Sequence, residues 1–280
     1  MSKTDALSVL LSDKETKDKL TESYAELMDM IQQGALSIQL KNTNLSGDPQ
    51  SGSVVCRRLM TSTSRTYGTA RDAGTGDAVA NNGVTINVDT NKEIVEEVEF
   101  KDIQLYGIDG FLTKRQLNHS KAFIRDLDNA FFTQAVAGGT EHNMVATDIE
   151  KQIEEIITAV ETTQNDNVDG VDRDMLVVTV KPAVYGALRN KIDTLPNPAE
   201  GGVVPNYFHD VRIYPNLRQS KDVICMANGS VGQLVKVSPY KLDNVPLSDA
   251  MAITLFYYYG TKAVMEDLIK WSDLEAAPSA

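Results

Sequence analysis

The chain has 280 residues, 42% hydrophobic and 24% charged, an ordinary globular composition that excludes wholesale disorder and fibrous repeats. At roughly 150 residues per domain, this length makes two domains, or one large domain with extensions. Lys and Arg number 27 against 39 Asp and Glu, a net charge of −12, which argues against wrapping free nucleic acid by phosphate neutralisation and leaves room only for a local basic strip.

In chain order, residues 5–33 carry Leu7, Leu10, Leu11, Leu20, Tyr24, Leu27, Met28 and Ile31 at mostly helical spacing, with Gly34 placed to stop the run, which predicts one or two amphipathic helices. Leu36, Ile38 and Leu40 alternate with Ser37 and Gln39 and predict a short strand. From Asn42 to Gly83 no helical period exists, and Ser, Thr, Gly and Asn dominate around one apolar-basic strand at Val54–Met60. So long a polar stretch inside a compact protein is either disordered or an extended hairpin ordered by a partner, and a second strand at Val84, Ile86 and Val88 favours the hairpin.

An acidic strand is expected from Glu93 to Tyr106, with a bulge near Lys101-Asp102 where the alternation changes phase. The longest helix is expected over Leu112–Val136, closed by Gly138-Gly139. Thr147-Asp148-Ile149-Glu150 reads as a capping box that opens a helix through Ile153, Ile156, Ile157 and Val160. A buried strand at Met175–Val180 leads to a Pro182 helix through Tyr185, Leu188 and Ile192, and Leu195–Pro205 is a long loop. Strands follow at Val211–Tyr214, Val223–Met226, Gln233–Val237 and Ala252–Tyr259, with Val264–Trp271 a final strand or helix. The fold class is α+β, without the regular alternation of a doubly wound or barrel enzyme.

Chemistry-bearing patterns fail one by one. Cys56 and Cys225 lie far apart with no CxxC, so they read as reduced thiols. His119, His142 and His209 form no ligand pair, Gly229-Ser230-Val231-Gly232 has its serine one place early for a nucleophile elbow, and no phosphate-binding glycine loop is complete. Asn165–Gly170 begins like a calcium loop, but the required bidentate Glu falls on Leu176, so it reads as an acidic turn. Asp126 with Asp128, and Asp172 with Asp174, are spaced wrongly for paired acid/base work. No catalytic residue, cofactor or metal is expected, and no apolar run nears the length of about 18 residues that marks a membrane span or forms a signal peptide, so a protein made in a cytosol is expected.

What remains is architectural. An amphipathic arm, a glycine-rich hairpin and an acidic strand bury little of their own surface and make sense when neighbours supply the missing contacts. Residues 51–75 carry Arg57, Arg58, Arg65 and Arg71 against Asp72, net +3, whereas residues 93–102 carry Glu93, Glu96, Glu97, Glu99 and Asp102 against Lys101, net −4. Opposite patches on one chain suit head-to-tail assembly, with two solvated faces as the plain alternative.

The order of these elements resembles the major capsid proteins of tailed phages, the Hong Kong 97-like fold to which encapsulins are related. Ile108-Asp109-Gly110-Phe111-Leu112, leading to Arg125-Asp126-Leu127-Asp128-Asn129-Ala130-Phe131-Phe132, is similar to the entry and body of that family's spine helix. Val178-Thr179-Val180-Lys181-Pro182-Ala183-Val184-Tyr185-Gly186-Ala187-Leu188 resembles the strand–proline–helix of its axial domain. By position, the resemblance implies an N-terminal arm at 1–48, an E-loop at 49–92, a peripheral domain at 93–145 and 246–280, and an axial domain at 146–245, with Leu195–Pro205 near a five- or six-fold axis.

It also implies a non-enzymatic shell subunit that assembles with itself into pentamers and hexamers around double-stranded DNA held without sequence specificity. Portal and scaffolding proteins are its further partners, and the virion is its location. An encapsulin-like shell around cargo, and a cytosolic enzyme or binding protein with a disordered insertion at 42–83, are the competing readings. Some family members weld their shells through an E-loop lysine, but no lysine occurs from Asn42 through Asn91. The expected shell is therefore not crosslinked: boiling in denaturant should give monomers on a gel, and a high-mass ladder would contradict this.

Overall fold

The computed structural model describes residues 14–46, 52–62, 64, 66–68, 81–193, 207–246, 248 and 250–274. Leu7, Leu10 and Leu11 of the arm and the Leu195–Pro205 loop lie outside them. The chain forms two compact units, one of residues 1–39, 87–130 and 233–260, the other of residues 40–86, 131–232 and 261–280. These cuts fall elsewhere than the four segments drawn from the resemblance, because the C-terminal strands are shared between the units.

In the first unit, α1 (Lys14–Gly34) presents Leu27 and Ile31, both essentially without exposure, to Phe123 and Leu127 of α3 (Phe100–Gly138). The same core takes Leu255, Tyr257 and Tyr259 from β14 (Met251–Ala263). Phe123 meets the Tyr257 ring edge-on at 4.4 Å, and the Tyr257 hydroxyl donates to Asp126 at 2.9 Å. The arm helix, expected to find its contacts on neighbours, thus fills the core of its own unit. At roughly 1.5–3 kcal/mol per fully buried aliphatic side chain, Leu27 and Ile31 together contribute about 3–6 kcal/mol to holding the helix against α3 and β14.

Leu36–Leu40, expected as a strand, is a short helix, α2. A period of two over five residues is a weak signal, and Asp128 overrides it by accepting the Ser37 N–H at 3.0 Å, one of the donors a helix start leaves orphaned. The acidic strand also ends early: β4 is Thr90–Val98 and α3 begins at Phe100. The change of phase read as a bulge is the switch from strand to helix period, and α3 accordingly starts well before Leu112. With 39 residues it is about 58 Å long at about 1.5 Å per residue.

β14 pairs with β4 along its length, antiparallel, from Met251↔Val98 to Tyr259↔Thr90, and with β12 (Val231–Val237) and β13 (Lys241–Asn244). Gly260 permits the chain to pass Asn87 backbone to backbone, where any Cβ would run into the Asn87 carbonyl. Ile94, Glu96 and Val98 of β4 face inward. Among them Glu96 is gripped by Arg115, Nε to Oε2 at 2.5 Å, and sits beside the buried His119. The His119 Nδ1 is 3.0 Å from the Tyr240 hydroxyl; its Nε2 is 3.0 Å from Glu96 but without hydrogen-bond alignment, since that carboxylate is turned to Arg115. Burial first, and the Arg115 charge second, bring the His119 pKa down to about 4.

The second unit is built on a six-stranded mixed sheet, order β5-β15-β11-β8-β10-β9, where β5 is Thr140–Glu141, β8 Leu176–Val180, β9 Tyr207–Phe208, β10 Val211–Pro215, β11 Val223–Ala227 and β15 Ile269–Ser272. β8 runs parallel to β10 and antiparallel to β11. The stretch 264–271, left open between strand and helix, is both: a 3-10 turn at Glu266–Leu268 and then β15. Helix α4 (Ile149–Glu161) lays Ile153, Ile156, Ile157 and Val160, all fully buried, against Val178, Val180, Ile213 and Cys225. Its N-terminus departs from the expected capping box. Asp148 is the cap residue and makes no side-chain cap bond; Glu155 reaches past it to the preceding loop and accepts the N–H groups of Val145 and Ala146, each at 3.0 Å. Helix α5 (Pro182–Asp193) follows β8 as the proline predicts.

Two measurements check this packing. Gly260→Ala should destabilise the chain by about 1–3 kcal/mol in denaturant unfolding, because backbone rather than a yielding side chain occupies the space. His119 is neutral when buried while the unfolded chain takes up a proton below about pH 6.5, so stability should fall from pH 7 toward pH 4. Melting curves of His119→Gln should show a shallower decline over that window; an unchanged slope would refute the assignment.

Candidate intersubunit surface

The two strands expected in the polar stretch are present, β2 (Ser53–Leu59) and β3 (Asn81–Asn87), side by side in a three-stranded sheet with β1 (Leu45–Ser46). Alternation along β2 buries Val54 and Cys56 and turns Arg57 outward. Burial raises the Cys56 thiol pKa, in keeping with an inert thiol.

Arg58 is not available to a neighbour in the same way. Its guanidinium grips both oxygens of Asp267, with Nη2 to Oδ2 at 2.8 Å, and is largely covered. The Asn165 amide donates to the same Oδ2 at 2.5 Å, while its own Oδ1 accepts the N–H groups of Asn167 and Val168. The Thr61 N–H completes the attachment by donating to the Asp166 carbonyl at 3.0 Å. The turn that begins like a calcium loop is therefore a miniature hairpin, β6 (Gln164–Asn165) with β7 (Val168–Asp169), that holds the root of the longer one. Burial pushes the Asp267 carboxyl up, but the bonds from Arg58 and Asn165 outweigh it and its pKa lies below the ordinary value. Arg65 and Arg71 lie outside the described residues.

The glutamates divide by parity. Glu93 and Glu97 are exposed on one face of β4 with Val95 between them, 52% exposed, whereas Glu96 points to Arg115. Glu99 is exposed just beyond the strand. β4 has β14 on one side and, among the described residues, no strand on the other, so it presents a nine-residue edge. Asp267 and Asn165 escaped sequence reasoning because they lie 209 and 102 positions from their partners, with no motif linking them.

The histidines serve local packing: His142 lies 3.3 Å from Glu155 and His209 2.9 Å from Glu154. Among the described residues no three His, Cys, Asp or Glu side chains gather as metal ligands, and no helix is long and apolar enough to cross a membrane.

No family model matches the chain, and no curated protein matches it in sequence. Solved structures do match. The capsid of a native GTA particle superposes with a TM-score of 0.62 at 11% identity, over 86% of this chain and 90% of that one. The capsid of cyanophage P-SCSP1u gives 0.59 at 14% identity, over 86% and 88%. A virus-like particle from Pyrococcus furiosus gives 0.58 at 14% identity, over 90% and 98%. The chain has the Hong Kong 97-like fold of tailed-phage capsid proteins.

Proposed function

We propose that the chain is a major capsid protein, the subunit of an icosahedral head shell that encloses the double-stranded DNA of a tailed bacteriophage. The observation that carries this reading is the nearly end-to-end match to shell subunits, 86–90% of this chain against 88–98% of theirs, which leaves little chain for another task. Its work is structural rather than catalytic. It binds itself in pentamers and hexamers, meets a portal and a scaffolding protein during assembly in the host bacterial cytoplasm, and ends in the virion. In this reading residues 49–92 are the E-loop, residues 93–145 and 246–280 the peripheral domain, residues 146–245 the axial domain and residues 1–48 the arm.

The net charge of −12 supports a wall that does not stick to the genome it encloses. Between copies, the basic hairpin meets acidic surface: Arg57 faces Glu93 and Glu97 of an adjacent subunit, and Arg65 and Arg71 meet acidic side chains elsewhere on a neighbour. Arg58 and Glu96 serve from behind by holding the hairpin root and the β4–α3 seam. A cargo shell is the second reading, since one of the matched particles, from Pyrococcus furiosus, is named as virus-like and not as a phage capsid.

Electron microscopy of the purified protein should show closed icosahedral particles, filled with DNA in virions; protein-filled particles would favour the cargo reading, and monomers under every condition would overturn both. If exposed pairs of about 0–1 kcal/mol each are repeated over the lattice, assembly weakens at high salt. Arg57→Glu should lower particle yield without changing the melting temperature of the subunit, whereas Arg58→Glu should lower the melting temperature itself. Unchanged yield for Arg57→Glu would refute the pairing.

A further inference from the structure

Beside the hairpin root the second unit carries an open groove of about 820 Å³. Val168, Met175 and Met265 contribute its apolar wall, and Asp169, Asp172 and Asp174 stand exposed around it. Met175 is 57% exposed, an unusual position for a large apolar side chain that flanks a buried strand. Among the described residues, no lysine or arginine lines the groove. Arg173, between two of the aspartates in sequence, is engaged by Glu154, the His209 carbonyl and Glu161 at the groove's own rim, and makes no ion pair with Asp169, Asp172 or Asp174. The groove therefore pairs an apolar wall with uncompensated negative charge, and its complement is a segment with an aromatic or apolar body flanked by cations.

One stretch of this chain has that chemistry. From Pro49 to Arg71 there are four arginines and no carboxylate, and Arg65 and Arg71 bracket Tyr67, which is 87% exposed. The described residues of that stretch beyond the hairpin root, Ser62, Ser64 and Thr66–Gly68, are not among those that line the chain's own groove. We propose that the groove receives the Arg65–Arg71 segment of a second copy, with Tyr67 against Met175 and Met265 and the two arginines over Asp172 and Asp174. This rests on the shell reading and adds a receptor for the hairpin tip, separate from the Glu93–Glu97 face.

The test co-assembles chains carrying Tyr67→Cys with chains carrying Met175→Cys, under mild oxidation. Cys56 and Cys225 are buried and stay out of the reaction. A covalent dimer on a non-reducing gel, formed only in mixed particles, is expected. Mixed particles that yield no such dimer overturn the proposal and leave the shell reading intact, whereas a wild-type chain that forms no particles defeats the shell reading itself. A chain with both substitutions that closes its disulfide as a monomer overturns the proposal too, because the groove then holds its own loop. If the cysteine variants fail to assemble, charge reversal decides. Asp172→Lys with Asp174→Lys should raise the protein concentration needed for assembly about tenfold, and adding Arg65→Glu with Arg71→Glu should restore it. Absence of restoration overturns the proposal.

Discussion

The small three-stranded sheet of β1, β2 and β3 has little core with which to hold its own direction in water. Whatever the segment between β2 and β3 does therefore depends on how the end of β2 is fixed to its unit, and one carboxylate gathers those bonds. Asp267 takes both arms of the Arg58 guanidinium and the Asn165 amide together, while Thr61 is tied to the neighbouring Asp166 carbonyl. A bidentate Arg–carboxylate pair fixes orientation as well as distance, which a lysine at the same place could not. The partly covered setting adds to this: an unpaired Asp267 would leave a desolvated charge, so the clamp is costly to open.

The same economy governs β4. One strand performs two tasks because its side chains alternate. Glu96 goes inward to Arg115, beside His119 and Tyr240, and secures the strand to α3. Glu93, Val95 and Glu97 go outward on an edge strand, where charge normally keeps neighbours from pairing indiscriminately. Negative charge there discourages chance strand addition, and in the proposed shell the same residues would select a basic partner.

Much of this was legible in the amino-acid order. Ile153, Ile156, Ile157 and Val160 mark α4 by spacing alone, and the strands around Val54 and Val84 mark the hairpin, because local periodicity reflects which face is buried. Boundaries set by distant groups were not legible. The Leu36–Leu40 helix depends on an Asp128 oxygen, the start of α3 on a change of period that also fits a bulge, and the loop before α4 on Glu155 reaching backward. Among the surface candidates, the parity of Glu96 against Glu93 and Glu97 was available in the sequence and separates the inward carboxylate from the outward pair. The partner of Arg58 was not, since nothing short of the folded chain brings position 267 to it.

The absence of lysine from Asn42 through Asn91 has a practical side apart from crosslinking. Exposed lysines such as Lys121, Lys151, Lys236 and Lys262 all lie elsewhere on the chain. Amine-directed acylation, the commonest way to attach dyes or polymers to a protein surface, therefore cannot modify any side chain of the hairpin. Amine reagents thus label the rest of the surface and spare this segment, so its contacts survive a conjugation that blankets the other faces.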